Sequence, residues 1–216
     1  MVAPSAPTGL TATAVATNRI ELAWADNATN EMGYLVEHSL DSNAWVLVTL
    51  TAANATNTSD SGLASNTLYY YRVAATNAAG RSAYCFASAT TLTAYEQWRR
   101  AHFTTAELAD PEKSGDDADP DHDTMSNLKE FYAGTIPTNR LSVLCIEDSE
   151  FRTPSSEFVI RWQSATGRVY TVLAATNLIT GFDLILGTNI QATPMENVYT
   201  DNVGTAGMRF YRVELE

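Results

Sequence analysis

The chain has 216 residues, 45% of them apolar, and a formal net charge of -12. Lysine occurs only at Lys113 and Lys129, so there is no basic patch to hold nucleic acid or an anionic membrane. No apolar run approaches the roughly 18 residues that membrane insertion requires, and the size allows one large core or two modest ones.

The start, MVAPSAPTG, lacks an apolar signal core, so an export signal is expected to have been removed or never included. Residues 1–93 read as all-β. Short segments such as GLTATAV, RIELAWA, GYLVEHS, AWVLVTLTA, LYYYRVAAT and YCFASATTL alternate with turn-like runs. Ile20, Leu22 and Trp24 fall on one face of their strand. Tyr69, Tyr71, Val73 and Ala75 fall on one face of another. Trp24 is expected in the core and Tyr69 as a structural hydroxyl. Tyr70 points away from Tyr69 and is a candidate, with Trp45, for an exposed aromatic pair that stacks on a sugar or a partner. Ordinary cross-strand packing is the alternative.

APSAPTGLTAT, LAWADNATNEMGYLVEHS and LASNTLYYYRVAATNAAGRS together resemble a fibronectin type III domain over residues 4–93. The resemblance implies a two-sheet sandwich. It places Trp24 in the core of the second strand and makes Tyr69 the tyrosine corner, with Tyr71, Val73, Ala75 and Asn77 continuing the sixth strand. The family's integrin-binding Arg-Gly-Asp is absent, and the corresponding loop reads NAAGRS.

Residues 94–140 form a different, helical connector. Tyr95, Trp98 and His102 or Phe103 have helical spacing. TTAEL offers a second start capped by Thr104 or Thr105. SNLKEFYAGTIP reads as a helix with Leu128, Phe131 and Tyr132 on one face and Gly134 as its stop. Between these lies SGDDADPDHD, too charged to be regular structure.

In that stretch Asp119, Asp121, Asp123, Met125, Asn127 and Glu130 occupy positions one, three, five, seven, nine and twelve of an EF-hand-like loop. A hard cation such as Ca2+ takes six to eight oxygens. Alternate loop residues turn inward, Met125 offers its carbonyl, and Glu130 closes the far side in bidentate fashion. The sixth position, usually glycine, is Thr124, which implies either a different turn or strain at positive φ. Asp116 and Asp117 are alternative ligands, and His122 is expected to face solvent. The loop is similar to those of thrombospondin type 3 repeats and dockerins. The stretch around it resembles a single-loop module of bacterial multidomain exoproteins, in which the loop is structural and leads into a β-rich C-terminal domain. A dockerin needs two loops, and this chain carries one copy.

From residue 141 to 216 the β pattern returns: LSVLCIED, EFVIRWQSA, VYTVLAAT, FDLIL and MRFYRVELE are strand candidates, and Phe158, Ile160 and Trp162 share a face. GRVYTVLAATN echoes LYYYRVAATN. The expected fold class is therefore all-β, with a fibronectin-like sandwich (1–93) and a second, β-sandwich-like domain (141–216) joined by the calcium-binding connector.

Cys85 and Cys145 are expected either to bridge the two halves or to lie as separate buried thiols, Cys145 within the strand VLCI. Sequons stand at Asn27, Asn54 and Asn57. Glu147, Asp148 and Glu150 read as a solvated acidic turn, or as help for a second calcium. Familiar catalytic signatures are missing, and no histidine sits in a nucleophile context.

The expected role is a non-catalytic extracellular or cell-surface module. It would be stiffened by Ca2+ and serve as spacer, adhesion unit or fibre component, through a protein partner or self-association. The alternative is an accessory region of a secreted polysaccharide hydrolase, with carbohydrate as ligand.

Overall fold

A computed structural model of the chain describes residues 2–204 and 208–216. It divides into two compact units, Met1–Trp98 and Arg99–Glu216.

In the first unit, β1 (Thr8–Ala16), β2 (Arg19–Ala25) and β5 (Asn57–Ser61) form one antiparallel sheet in the order β1-β2-β5. The other sheet runs β4 (Val46–Leu50), β3 (Gly33–Ser39), β6 (Leu68–Asn77) and β7 (Gly80–Arg81), with β8 (Cys85–Thr90) also paired to β6. Alternating side chains from both sheets meet between them. Ile20, Leu22, Trp24, Tyr34, Val36, Tyr71, Val73 and Ala75 are all buried there. Trp24 and Tyr34 lie with ring centroids 5.4 Å apart. The Tyr69 hydroxyl accepts a hydrogen bond from the Ala64 N–H at 3.0 Å, five residues upstream, which is a tyrosine corner.

The second unit opens with helices. Helix α1 (Ala94–His102) straddles the boundary between the units. It is followed by α2 (Thr105–Leu108), α3 (Pro111–Ser114) and α4 (Asn127–Ala133). Thr104 caps α2 in a capping box with Glu107. Asp110 caps α3, whose first residue is Pro111. Gly134 ends α4 at φ 77°. A side chain there would meet Ala165 Cβ at 2.4 Å, so glycine is required both for the turn and for the close approach.

Two antiparallel sheets follow, β9 (Ile146–Arg152) on β10 (Glu157–Gln163) on β13 (Glu196–Asn202), and β12 (Leu184–Gln191) on β11 (Val169–Ala175) on β14 (Phe210–Leu215). Ile160 and Trp162 from the first meet Tyr170 and Val172 from the second in a buried cluster. Tyr170 repeats the corner device: its hydroxyl accepts the Ala165 N–H at 3.0 Å, again five residues upstream. The fold is thus mostly β, as expected.

Several local expectations are corrected. Strands β5 (NTSDS) and β13 (ENVYTDN) have no apolar alternation in sequence; each is the outer strand of its sheet and is held by pairing with β2 or β10. Residues 141–145 precede β9 rather than belong to it, and Cys145 is exposed instead of buried. Cys85 is half-buried, and both thiols are free, so there is no bridge. The acidic run at Glu147, Asp148 and Glu150 lies in β9, not in a turn. Asp148 pairs with Arg161 at 3.1 Å and Glu150 with Arg152 at 3.3 Å. On α4 the buried face is Asn127, Glu130 and Ala133, while Tyr132 is exposed. The helix turns a polar stripe inward because its inner side meets the acidic loop rather than an apolar core.

Candidate metal centre

The acidic loop is built by its own backbone. Asp119 accepts the N–H of Asp123 at 3.2 Å on Oδ1 and that of Thr124 at 3.0 Å on Oδ2. Asp121 Oδ1 also receives Asp123 N–H at 3.3 Å, and Asp123 Oδ1 receives Met125 N–H at 2.7 Å. These bonds fold residues 119–125 around their carboxylates, and Asp119, Asp121 and Asp123 offer oxygens within 4.8 Å of one another. The turn needs left-handed backbone at His122 (φ 62°) and at Thr124 (φ 82°). Thr124 takes the left-handed conformation usually given to glycine, so the turn carries strain at a β-branched residue.

Helix α4 supplies the other wall. Asn127 is fully buried; its amide donates to the carbonyls of Lys113 at 2.9 Å and Gly115 at 2.7 Å, fastening the start of α4 to the end of α3. Asn127 N–H donates to Ala118 O and Leu128 N–H to Asp116 O, so the loop is closed at its base. Glu130 has no exposed surface, and its Oε1 receives only the Thr135 hydroxyl, at 3.3 Å.

What distinguishes this site from a solvated acidic turn is a set of buried oxygens with no hydrogen-bond partner among the described residues. They are Asp121 Oδ2, Asp123 Oδ2, Asn127 Oδ1 and Glu130 Oε2. Leaving such groups unpaired in a protein interior costs about 1–3 kcal/mol each, more when charged. Burial, followed by the charges of Asp121 and Asp123, pushes the Glu130 carboxyl up to about 7. Burial and then the charge of Asp123 push Asp121 upward as well. A cation held by these oxygens would relieve such penalties.

The six positions read from the sequence therefore divide. Asp119, Asp121 and Asp123 bring carboxylate oxygens within 4.8 Å of one another, Asn127 and Glu130 are buried on α4 with one unpartnered oxygen each among the described residues, and Met125 stands at its position with its N–H given to Asp123. Asp116 and Asp117 are exposed, and His122 faces solvent. Spacing alone did not reveal the second use of Asn127, as a clamp on the carbonyls of α3. An amide fourteen residues from its partner leaves no local signal.

A second polar cluster lies in the first unit. His38 Nδ1 and Asp60 Oδ2 are 2.5 Å apart, and the Tyr71 hydroxyl donates to the same oxygen at 3.1 Å. Burial, then the charge of Asp60, raises the Tyr71 phenol. The neighbouring Ser39 hydroxyl donates to Asp41 at 2.9 Å. The triad ties β5 to β3 and β6 across the sandwich. It is a structural lock, and no sequence pattern signalled it.

Comparison with known proteins bears on the first unit. Residues 5–90 match the sequence profile of the fibronectin type III domain. That segment is a fibronectin type III domain. Solved structures similar to it include an Fn3-like protein from Clostridium thermocellum, 31% identical over 39% of this chain and 91% of that one, with a TM-score of 0.33. The fn3 domain of the human collagen alpha-1(XX) chain is 19% identical over 43% of this chain and 89% of that one, with a TM-score of 0.39. FN3tt is 23% identical over 43% of this chain and 98% of that one, also with a TM-score of 0.39. No curated protein matches the chain. Such domains are commonly extracellular and typically non-catalytic structural or linker units. Among the described residues, no helix is long and apolar enough to cross a membrane.

Proposed function

We propose that residues 110–132 hold a structural Ca2+ ion, and that the chain serves as a non-catalytic extracellular module whose second unit is stiffened by that ion. The observation that carries this reading is the set of four buried, unpartnered oxygens on Asp121, Asp123, Asn127 and Glu130. Ligand spacing fits a hard cation, and the donors are all oxygen, which favours calcium over zinc. The role is architectural. The ion joins the loop to α4, and α4 packs in turn on the C-terminal sheets through Gly134 against Ala165 and through the Arg168 guanidinium, which donates to the Phe131 carbonyl. Loop order thereby becomes order of the unit's edge. With a fibronectin type III domain ahead of it, the chain suits a spacer or surface-assembly role, in which a defined, protease-resistant segment matters more than chemistry.

Limited proteolysis in calcium and in excess EGTA tests the proposal. Cleavage between residues 110 and 132 is expected only in EGTA. Equal cleavage in both, together with no heat in a calcium titration by calorimetry, would discard it.

A further inference from the structure

The outer face of the β4-β3-β6-β8 layer holds a hollow of about 320 Å3 whose lining includes Ser42, Trp45, Tyr70, Phe86 and Ser88. Tyr70 pairs with Ser88 and Arg72 with Phe86 in the β6–β8 ladder, which sets these side chains on one face of the sheet. The side chains that line it offer rings and hydroxyls.

The rings are held in place from behind. The Arg72 guanidinium lies 4.3 Å from the centre of the Trp45 ring and 4.2 Å from that of Tyr84, sandwiched between them. Its Nε donates to Glu37 Oε2 at 2.7 Å, and the Tyr84 hydroxyl donates to the same oxygen at 3.0 Å. Arg81 Nη1 donates to the Tyr84 hydroxyl at 2.8 Å. Phe86 sets its edge toward Trp45 with centroids 6.2 Å apart, yet is 62% exposed. A large apolar ring presented to water on a rigid sheet costs hydration energy in the free protein and loses no conformational entropy on binding.

Charge narrows the occupant. The hollow contains no ionised side chain, and the adjacent Arg72 is already matched by Glu37. In a chain of net charge -12, a polyanion is repelled. A cation finds no carboxylate in the lining. A neutral molecule with one apolar face and a ring of hydroxyls meets both features, the aromatic surface and the Ser42, Tyr70 and Ser88 hydroxyls. The volume lies at the small end of the ~300–1,000 Å3 range of ligand pockets, suited to a single ring rather than a long segment.

We infer that this face of the fibronectin type III domain binds neutral polysaccharide, with one pyranose ring stacked on Phe86 and its rim against Trp45, and its hydroxyls bonded to Ser42, Tyr70 and Ser88. The site is independent of the proposed calcium loop, which belongs to the other unit.

The test is a titration of the full chain, followed by tryptophan fluorescence and calorimetry, with cellohexaose, xylohexaose and mannohexaose. Hexagalacturonate and decaproline represent the acidic-glycan and proline-rich-peptide alternatives. Each titration is run in calcium and in excess EGTA, so that loss of the metal and loss of sugar binding are read separately. At least one neutral hexasaccharide is expected to bind in both conditions. Phe86→Ala should weaken it about tenfold, the value of one lost stacking contact near 1.4 kcal/mol, with an unchanged melting temperature, and Phe86→Tyr should retain it. No binding by any of the three neutral sugars, binding of decaproline or hexagalacturonate in their place, or affinity indifferent to Phe86→Ala would each overturn the assignment.

Discussion

Thr124 takes φ 82° inside the acidic loop, a conformation that a β-branched residue adopts only against a cost of about 1–3 kcal/mol. The surrounding bonds, Thr124 N–H to Asp119 among them, hold it there. Thr124→Gly is therefore expected to raise calcium affinity several-fold, measured by calorimetry, because the strain is removed from the closed loop. Glu130→Gln should do the opposite to binding and something different to the metal-free protein. The calcium-induced rise in melting temperature is lost. In EGTA the variant melts higher than the native chain, because a buried carboxylate facing Asp121 and Asp123 has become neutral. In the first unit, Glu37 gives a pH signature. The Arg72 hydrogen bond holds its carboxyl below the usual range, with the Tyr84 hydroxyl helping. A folded value below the unfolded one means the pair stabilises fully above about pH 4.5 and fades as pH falls through the folded value. The melting temperature of the native chain should drop more steeply than that of Glu37→Gln on acidification from pH 5, followed by circular dichroism.

At the scale of elements, the strands with clean alternation were readable, and the polar outer strands were not. In β2 the run Ile20, Leu22, Trp24 fixed both element and buried face, and all three are in the core. NTSDS and ENVYTDN gave no such sign, since an outer strand needs a partner's hydrogen bonds more than an apolar stripe, and its residues meet water. Helix α4 was readable in extent but not in orientation. Its aromatic side suggested a core face, whereas the fold buries Asn127 and Glu130 and leaves Tyr132 outside. Its end depends on Gly134, where Ala165 leaves no room for a methyl group. Gly134→Ala is expected to destabilise the second unit by more than the ~1 kcal/mol of a simple glycine cap, as read from denaturant unfolding, because contact and backbone are both violated. Tyr69→Phe, which only frees the Ala64 N–H, should cost about 1 kcal/mol.

Across the whole molecule, the two compact units carry separate cores, one centred on Trp24, Tyr34 and Tyr71, the other on Ile160, Trp162 and Tyr170. The proposed calcium ligands all lie in the second unit. Scanning calorimetry in calcium should therefore raise the transition that reports Arg99–Glu216, by roughly 2.7 kcal/mol of stabilisation at a hundredfold excess over the dissociation constant. The transition of the fibronectin type III domain should stay in place.

The amino-acid sequence by itself determined the β class, the fibronectin type III pattern around Trp24 and Tyr69, and the spacing of oxygen-bearing side chains from Asp119 to Glu130. These are periodic or short-range signals, set by neighbours within a dozen residues. Tertiary structure alone decided which oxygens in that loop are buried without partners, and that Asn127 clamps the end of α3. It also decided that His38 meets Asp60 across two sheets, that Arg72 is pressed between Trp45 and Tyr84, and that Cys145 faces water. Each depends on residues brought together from distant positions or on burial by another element. Contacts of that kind are fixed by packing and have no period along the chain.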